Sequence, residues 1–246
     1  MARAFRRLRA ASALVAMLLG TAGNAQQAAQ MDPDNPTCPR APNWSTNRQM
    51  TFTVLERPGQ RPVLLAEGVV DDNLIPRLRT ALAGFQGDEI WLRSPGGNAE
   101  VGNQAGRIIR EGQFQTRIPA GWACFSACNF LFMGGIFRFV DEGGLFIVHM
   151  FTFTGDRATI RGEITVNEER ATQLINGIEQ GSAMLASEDN VFLVGMGVRP
   201  SLLTEVMYRV PVNAGANSRE VRRCLTQAQV RHYNVATNVT RAAPAR

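Results

Sequence analysis

Short apolar runs and stretches of helical spacing follow one another along most of this chain. Thr51 to Leu55 and Pro62 to Ala66 read as strands split by a Pro58-Gly59-Gln60 turn, and Asp71-Asp72 offers an N-cap for a helix through Leu82. Glu89 to Arg93 is the next strand, broken by Ser94-Pro95-Gly96-Gly97. After it Val101, Ala105, Ile108 and Ile109 recur at helical spacing until Gly112 stops the helix. Phe114 to Ile118 is strand-like, and Ser126 to Met133 reads as a buried helix. Phe137 to Val140 and Leu145 to His149 are expected to form a hairpin around Asp141-Glu142-Gly143-Gly144, ending on the histidine. Glu163 to Ser187 reads as one long helix with Leu174, Ile178 and Leu185 on a face, followed by a second helix from Pro200 to Tyr208 and a closing strand–helix–strand unit near Val235. Repeated strand–helix units place the chain in the α/β class.

The ends depart from this pattern. Arg3, Arg6, Arg7 and Arg9 precede an apolar run from Ala10 to Leu19, and Gly23-Asn24-Ala25 supplies the small residues that a signal peptidase reads, so residues 1–25 are expected to be a cleaved secretory signal. The run is well short of the roughly 20 residues that cross a bilayer, so no stable membrane anchor is expected after processing. Residues 26–49, rich in Gln, Pro, Asn and Asp, read as a loosely ordered leader, 50–237 as the single domain, and 238–246 as a disordered tail. The expected location is periplasmic or secreted.

Charge then changes meaning. The precursor carries 26 basic residues against 21 acidic ones, but the signal takes four Arg and no acid, so the remainder is close to neutral. With no basic run beyond Arg222-Arg223 and no aromatic stacking platform, nucleic acid is not an expected partner. Every basic residue is Arg, which excludes a lysine amine as a catalytic base. Four cysteines, Cys38, Cys124, Cys128 and Cys224, allow three pairings in an oxidising compartment. A turn into a helix at Ser126 would bring Cys124 and Cys128 within bridging distance and stiffen the serine turn; two buried thiols, or bonds to Cys38 and Cys224, are the alternatives. No histidine or second close cysteine pair completes a zinc site, and no cofactor is expected.

A hydrolytic serine needs a base for its proton and donors for the developing oxyanion. Of the two histidines, His149 closes the apolar strand Leu145-Phe146-Ile147-Val148, whereas His232 sits in a polar stretch. In Cys124-Phe125-Ser126-Ala127-Cys128 a serine-centred turn would hold its hydroxyl at the start of a buried helix, where free N–H groups favour negative charge. The two glycines of Ser94-Pro95-Gly96-Gly97 let backbone N–H groups turn toward a ligand. Each part also has a plain structural reading: a satisfied strand-end histidine, an N-cap serine, a simple turn.

Together and in this order, the three parts resemble the Clp protease proteolytic subunit and its relatives in the Clp/crotonase superfamily, over about Val63 to Val235. The opening strand Val63-Leu64-Leu65-Ala66-Glu67-Gly68 and the segment Cys224-Leu225-Thr226-Gln227-Ala228-Gln229-Val230 match as well. The resemblance implies a Clp/crotonase-like fold, Ser126 as nucleophile, His149 as base, and the amides of Gly96 or Gly97 and of Ala127 as the oxyanion hole. It further implies a peptide or protein substrate and a homo-oligomer. The family's orienting Asp would fall near Val206 or Met207, which cannot take its part; Glu205 and Asp156 are the substitutes at hand, a backbone carbonyl or water could orient the ring instead, and a Ser–His dyad is ranked first. A non-catalytic exported binding or assembly module on the same fold is the alternative function, and an acyl-CoA enzyme of the crotonase branch a third.

Overall fold

The computed structural model describes residues 31–33, 35–150, 157–207 and 221–237. Residues 1–25, expected to be a secretory signal, and 238–246, expected to be a disordered tail, lie outside them.

Two sheets carry the architecture. In the larger, β3 (Thr51–Leu55), β4 (Val63–Glu67), β5 (Glu89–Arg93), β6 (Gln115–Ile118) and β8 (Arg138–Val140) lie in that order, parallel except for the antiparallel edge strand β3. In the smaller, β9 (Leu145–His149) lies between β7 (Ala123–Phe125), parallel to it, and β10 (Arg222–Cys224), antiparallel. A single bridge between Ser94 and Cys124 joins the end of β5 to β7. This is a mixed α/β fold.

The apolar residues sort the layers. Leu64 and Ala66 on β4 and Ile90 and Leu92 on β5 are buried at period two, as strands with one face on the core require. Across from them lie α1 (Leu74–Ala83), α2 (Ala99–Glu111) and α3 (Cys128–Gly134); every residue of α3 is buried. The Asn98 side chain accepts from the Val101 amide and starts α2. A Cβ on Gly102 would come within 2.7 Å of the Ala127 carbonyl, so a residue with no side chain is what lets α2 approach the start of α3. Beneath the sheet edge, buried Arg117 pairs with Glu89 at 2.6 Å and with Asp141. Arg138 donates to the carbonyls of Val235 and Asn234, each at 2.7 Å, and so fastens the end of the domain to the sheet. Burial and the neighbouring Arg110 lower the Arg138 pKa to about 10, which leaves it charged at neutral pH.

Four expectations are corrected. Phe137–Val140 and Leu145–His149 are not a hairpin: β8 pairs with β6 and β9 with β7, in different sheets. The long helix is two, α4 (Arg157–Val166) and α5 (Glu168–Gly195), divided at Asn167, whose side chain caps α5 by accepting from the Arg170 amide. The helix expected at 200–208 is in large part a π-helical turn, Leu203–Met207. The leader is not loose where it is described. Its β1 (Met31–Asp32) and β2 (Asn35–Pro39) pair with each other, Asp32, Cys38 and Ser45 are buried, and a Cys38–Cys224 disulfide holds the segment against β10. Asn, Pro and Gln composition hid a segment whose stability comes from a cross-link and from contacts far along the chain. A short helix, α6 (Gln227–His232), follows β10 and opens with a Thr226–Gln229 capping box. Among the described residues no helix is long and apolar enough to cross a membrane.

Candidate active site

Parallel pairing of β7 with β9 sets Phe125 against Ile147, so both strands end at one edge of the small sheet. Immediately beyond Phe125 the chain reverses into α3 through Ser126, whose φ is 56°. Gln113 and Asn234 also have positive φ, but they follow the ends of α2 and α6, where left-handed residues are ordinary. Ser126 instead enters a helix, and a left-handed serine costs on the order of 1–2 kcal/mol unless its surroundings impose it. Those surroundings are explicit. The Ser126 amide donates to the Ile147 carbonyl at 3.3 Å, the Asn129 amide to the Ser126 carbonyl at 2.8 Å, and Asn129 Nδ2 to the same Ile147 carbonyl at 2.7 Å. A Cys124–Cys128 disulfide spans the turn, with Cα atoms 5.4 Å apart.

His149 reaches this turn from the end of β9. Its Nε2 lies 2.7 Å from Ser126 Oγ, and its Nδ1 lies 3.0 Å from the Met150 carbonyl oxygen. A carbonyl only accepts, so Nδ1 carries the proton and Nε2 presents its lone pair to the serine hydroxyl, which donates to it. Burial pushes the imidazole pKa below its ordinary value, and the bond to the Met150 carbonyl offsets part of that shift. The ring is therefore neutral at pH 7 and able to take a proton. If Ser126 reacts through it, acylation is expected to rise with pH through a midpoint below the unperturbed histidine value of about 6.5 and to be flat above pH 7. A midpoint above 7 in the rate–pH profile would contradict this environment.

The Ser94–Gly97 loop lies against the same turn. Ser94 donates its amide to the Ala123 carbonyl at 3.0 Å and accepts from Phe125 at 3.1 Å. Gly96 has φ 85°, and its own amide donates to Ser94 Oγ at 3.0 Å while its carbonyl accepts from Val70 at 2.8 Å. Gly97 has φ 149°. Among the described residues, the Gly97 and Ala127 amides have no acceptor.

The Glu205 carboxylate accepts from the Tyr233 hydroxyl at 2.8 Å, and the structure does not bring it to His149. Val206 and Met207 pack against the main core. Asp156 lies outside the described residues. Among those described, no group of three or more His, Cys, Asp or Glu side chains could hold a metal ion. A backbone carbonyl was one of the groups expected to orient the ring, and that of Met150 lies on Nδ1; the Asn129 clamp on Ile147 and the Phe125 ring 4.8 Å from the imidazole were not anticipated from sequence. A backbone acceptor has no sequence signature. Asn129, a polar residue inside an otherwise apolar helix, was the one visible signal.

No family model matches the chain, and no curated protein matches it. Among solved structures, a ClpP1 mutant from Listeria monocytogenes is similar over 71% of this chain and 88% of its own, at 12% identity and a TM-score of 0.46.

Proposed function

We propose that this protein is an exported serine hydrolase, a peptidase of Clp/crotonase-like fold, in which a Ser126–His149 dyad works through an acyl-enzyme. The observation that carries the reading is the 2.7 Å contact between Ser126 Oγ and His149 Nε2, with the tautomer fixed by the Met150 carbonyl on the other ring nitrogen. In the first step Oγ attacks the scissile carbonyl as its proton passes to Nε2; the imidazolium then gives that proton to the leaving amine. Water, deprotonated by the same nitrogen, releases the acyl group. The amides of Gly97 and Ala127 are the donors proposed for the oxyanion, since the Gly96 amide already serves Ser94 Oγ. A carbonyl in place of a carboxylate orients the ring but gives the imidazolium less electrostatic support, so modest turnover is expected.

The peptidase half of the reading comes from the sequence resemblance, and so does the proposal of a homo-oligomer. Exposed Ile164, Val166, Ile175, Met184, Val191 and Val194 along α4 and α5 are consistent with a face that a second copy covers, and a monomer by light scattering would count against it.

The test is labelling of the purified mature protein with a fluorophosphonate probe under oxidising conditions. An adduct on Ser126, absent from Ser126→Ala, is the expected result. No adduct on the wild type would overturn the reading in favour of the second one, a non-catalytic binding module, which is favoured by the lack of a carboxylate on His149 among the described residues.

A further inference from the structure

We propose that the segment from Cys38 to Ser45 is a working wall of the site and that Trp44 is a positioning residue for His149, acting through Phe125. The small sheet has two faces. Cys124, Phe146 and Val148 point into the main core, whereas Ala123, Phe125, Ile147 and Cys224 form a second apolar cluster closed by Cys38 and Trp44. Side chains alternate along a strand, so His149, two residues beyond Ile147, belongs to the second face. Its ring is 4.8 Å from that of Phe125. The Trp44 ring stacks on Phe125 at 5.5 Å with 17° between the planes, and the Arg222 guanidinium lies 5.8 Å from the Trp44 ring. A column of four groups thus runs from β10 through the leader to the imidazole.

The column is anchored at Arg222 and beside Trp44. Arg222 is the cross-strand partner of His149. It donates to the carbonyls of Pro39 at 2.9 Å and Arg40 at 3.2 Å, and its own carbonyl accepts from Asn35 Nδ2 at 2.7 Å. One residue before Trp44, the Asn43 carbonyl accepts the Ala123 amide at 2.9 Å, which seats the segment on the nucleophile's strand.

The physical need for such a wall follows from the two hydrogen bonds of His149. Each nitrogen is held by one hydrogen bond, which a small tilt of the ring about χ1 and χ2 would stretch, and packing against the ring face limits that tilt. Phe125 supplies that check and, being wholly apolar, relies on its neighbours for its own place. A base must keep its position to within about 0.5 Å and 10–20° to transfer a proton efficiently.

This inference rests on the hydrolase reading for its effect on rate, and its test separates the two. Fluorophosphonate labelling of Trp44→Ala, resolved into a saturating rate and a half-saturating concentration, is expected to show the rate reduced ~10-fold or more with the concentration within ~2-fold, because misplacement by 1 Å costs up to 10²-fold. Every molecule should still label at the end point, and Trp44→Phe, which restores a ring, should recover most of the rate. A Trp44→Ala rate equal to wild type, a reduced labelled fraction at an unchanged rate, or no recovery in Trp44→Phe would overturn the proposal. If Trp44→Ala does not fold, Trp44→Leu carries the same comparison.

The His149 Nδ1 proton, observed by NMR, decides the matter independently of activity. With only two histidines in the chain its assignment is direct. Faster exchange in Trp44→Ala than in wild type is expected, and equal exchange would overturn the positioning role. A wild type that does not label but shows this difference would refute the hydrolase and leave the wall standing.

Discussion

His149→Ala is expected to slow acylation of Ser126 by about 10⁴-fold or more, the scale on which members of a coupled nucleophile–base unit fail when one is removed. The serine hydroxyl has no other acceptor of proton quality nearby: its one side-chain contact among the described residues is Nε2. The chain contains no lysine, and the other histidine, His232, is on α6, so among the described residues no lysine or second histidine is bonded to the serine to take over. Because the turn is held by the Ile147 carbonyl and the Cys124–Cys128 disulfide rather than by the imidazole, the variant should fold and keep Ser126 in place. Loss of rate with the fold retained is therefore the expected pair of readings. Labelling within 10-fold of wild type would show that Ser126 is activated by something other than His149, and the proposed mechanism would fall.

Gly96→Ala is expected to damage both the fold and the site. A Cβ there would stand 2.5 Å from the Phe125 carbonyl oxygen, 2.6 Å from Ser126 Cβ and 2.9 Å from the Ala127 nitrogen, none of which can swing aside as a long side chain would. The φ of 85° adds strain for any residue with a side chain. Relief requires the Ser94–Gly97 loop to move away from the serine turn, taking the Gly97 amide with it. The expected cost is about 2–4 kcal/mol of stability, together with a ~10²–10³-fold lower labelling rate, the usual toll of losing one oxyanion donor. Gly59→Ala is the control: φ is 69° but the space around it is open, so it tests backbone strain alone and should label normally. Thermal denaturation and labelling kinetics on the three proteins decide it; a Gly96→Ala protein as fast as wild type would remove the loop from the chemistry.

Local signals made much of this fold legible. Gly112 ends α2 and the Ser94–Gly97 break ends β5 as the residues foretold, because caps and turns are decided within a few positions. The family resemblance also singled out Ser126 and His149, whose side chains the structure places 2.7 Å apart. What escaped was set by distant partners. Phe137–Val140 and Leu145–His149 flank a good turn sequence, yet each strand finds a better neighbour in a different sheet, and pairing of that kind leaves no mark on the local pattern. Counting four cysteines could not choose among three pairings. The leader's role depends on Cys38 meeting Cys224 and Trp44 meeting Phe125, and composition alone had placed Cys38 and Trp44 in a loosely ordered leader.

The Cys38–Cys224 bond joins residues 186 positions apart, so nearly the whole domain is threaded on one closed covalent ring. In the chain-entropy account, closing a loop of this length disfavours the unfolded ensemble by on the order of 5 kcal/mol. Gly96, Ser126 and His149 all lie inside the ring. A single backbone cut anywhere within it leaves the two fragments tethered, so a molecule nicked by a neighbour or by itself would still migrate as one species until reductant was added.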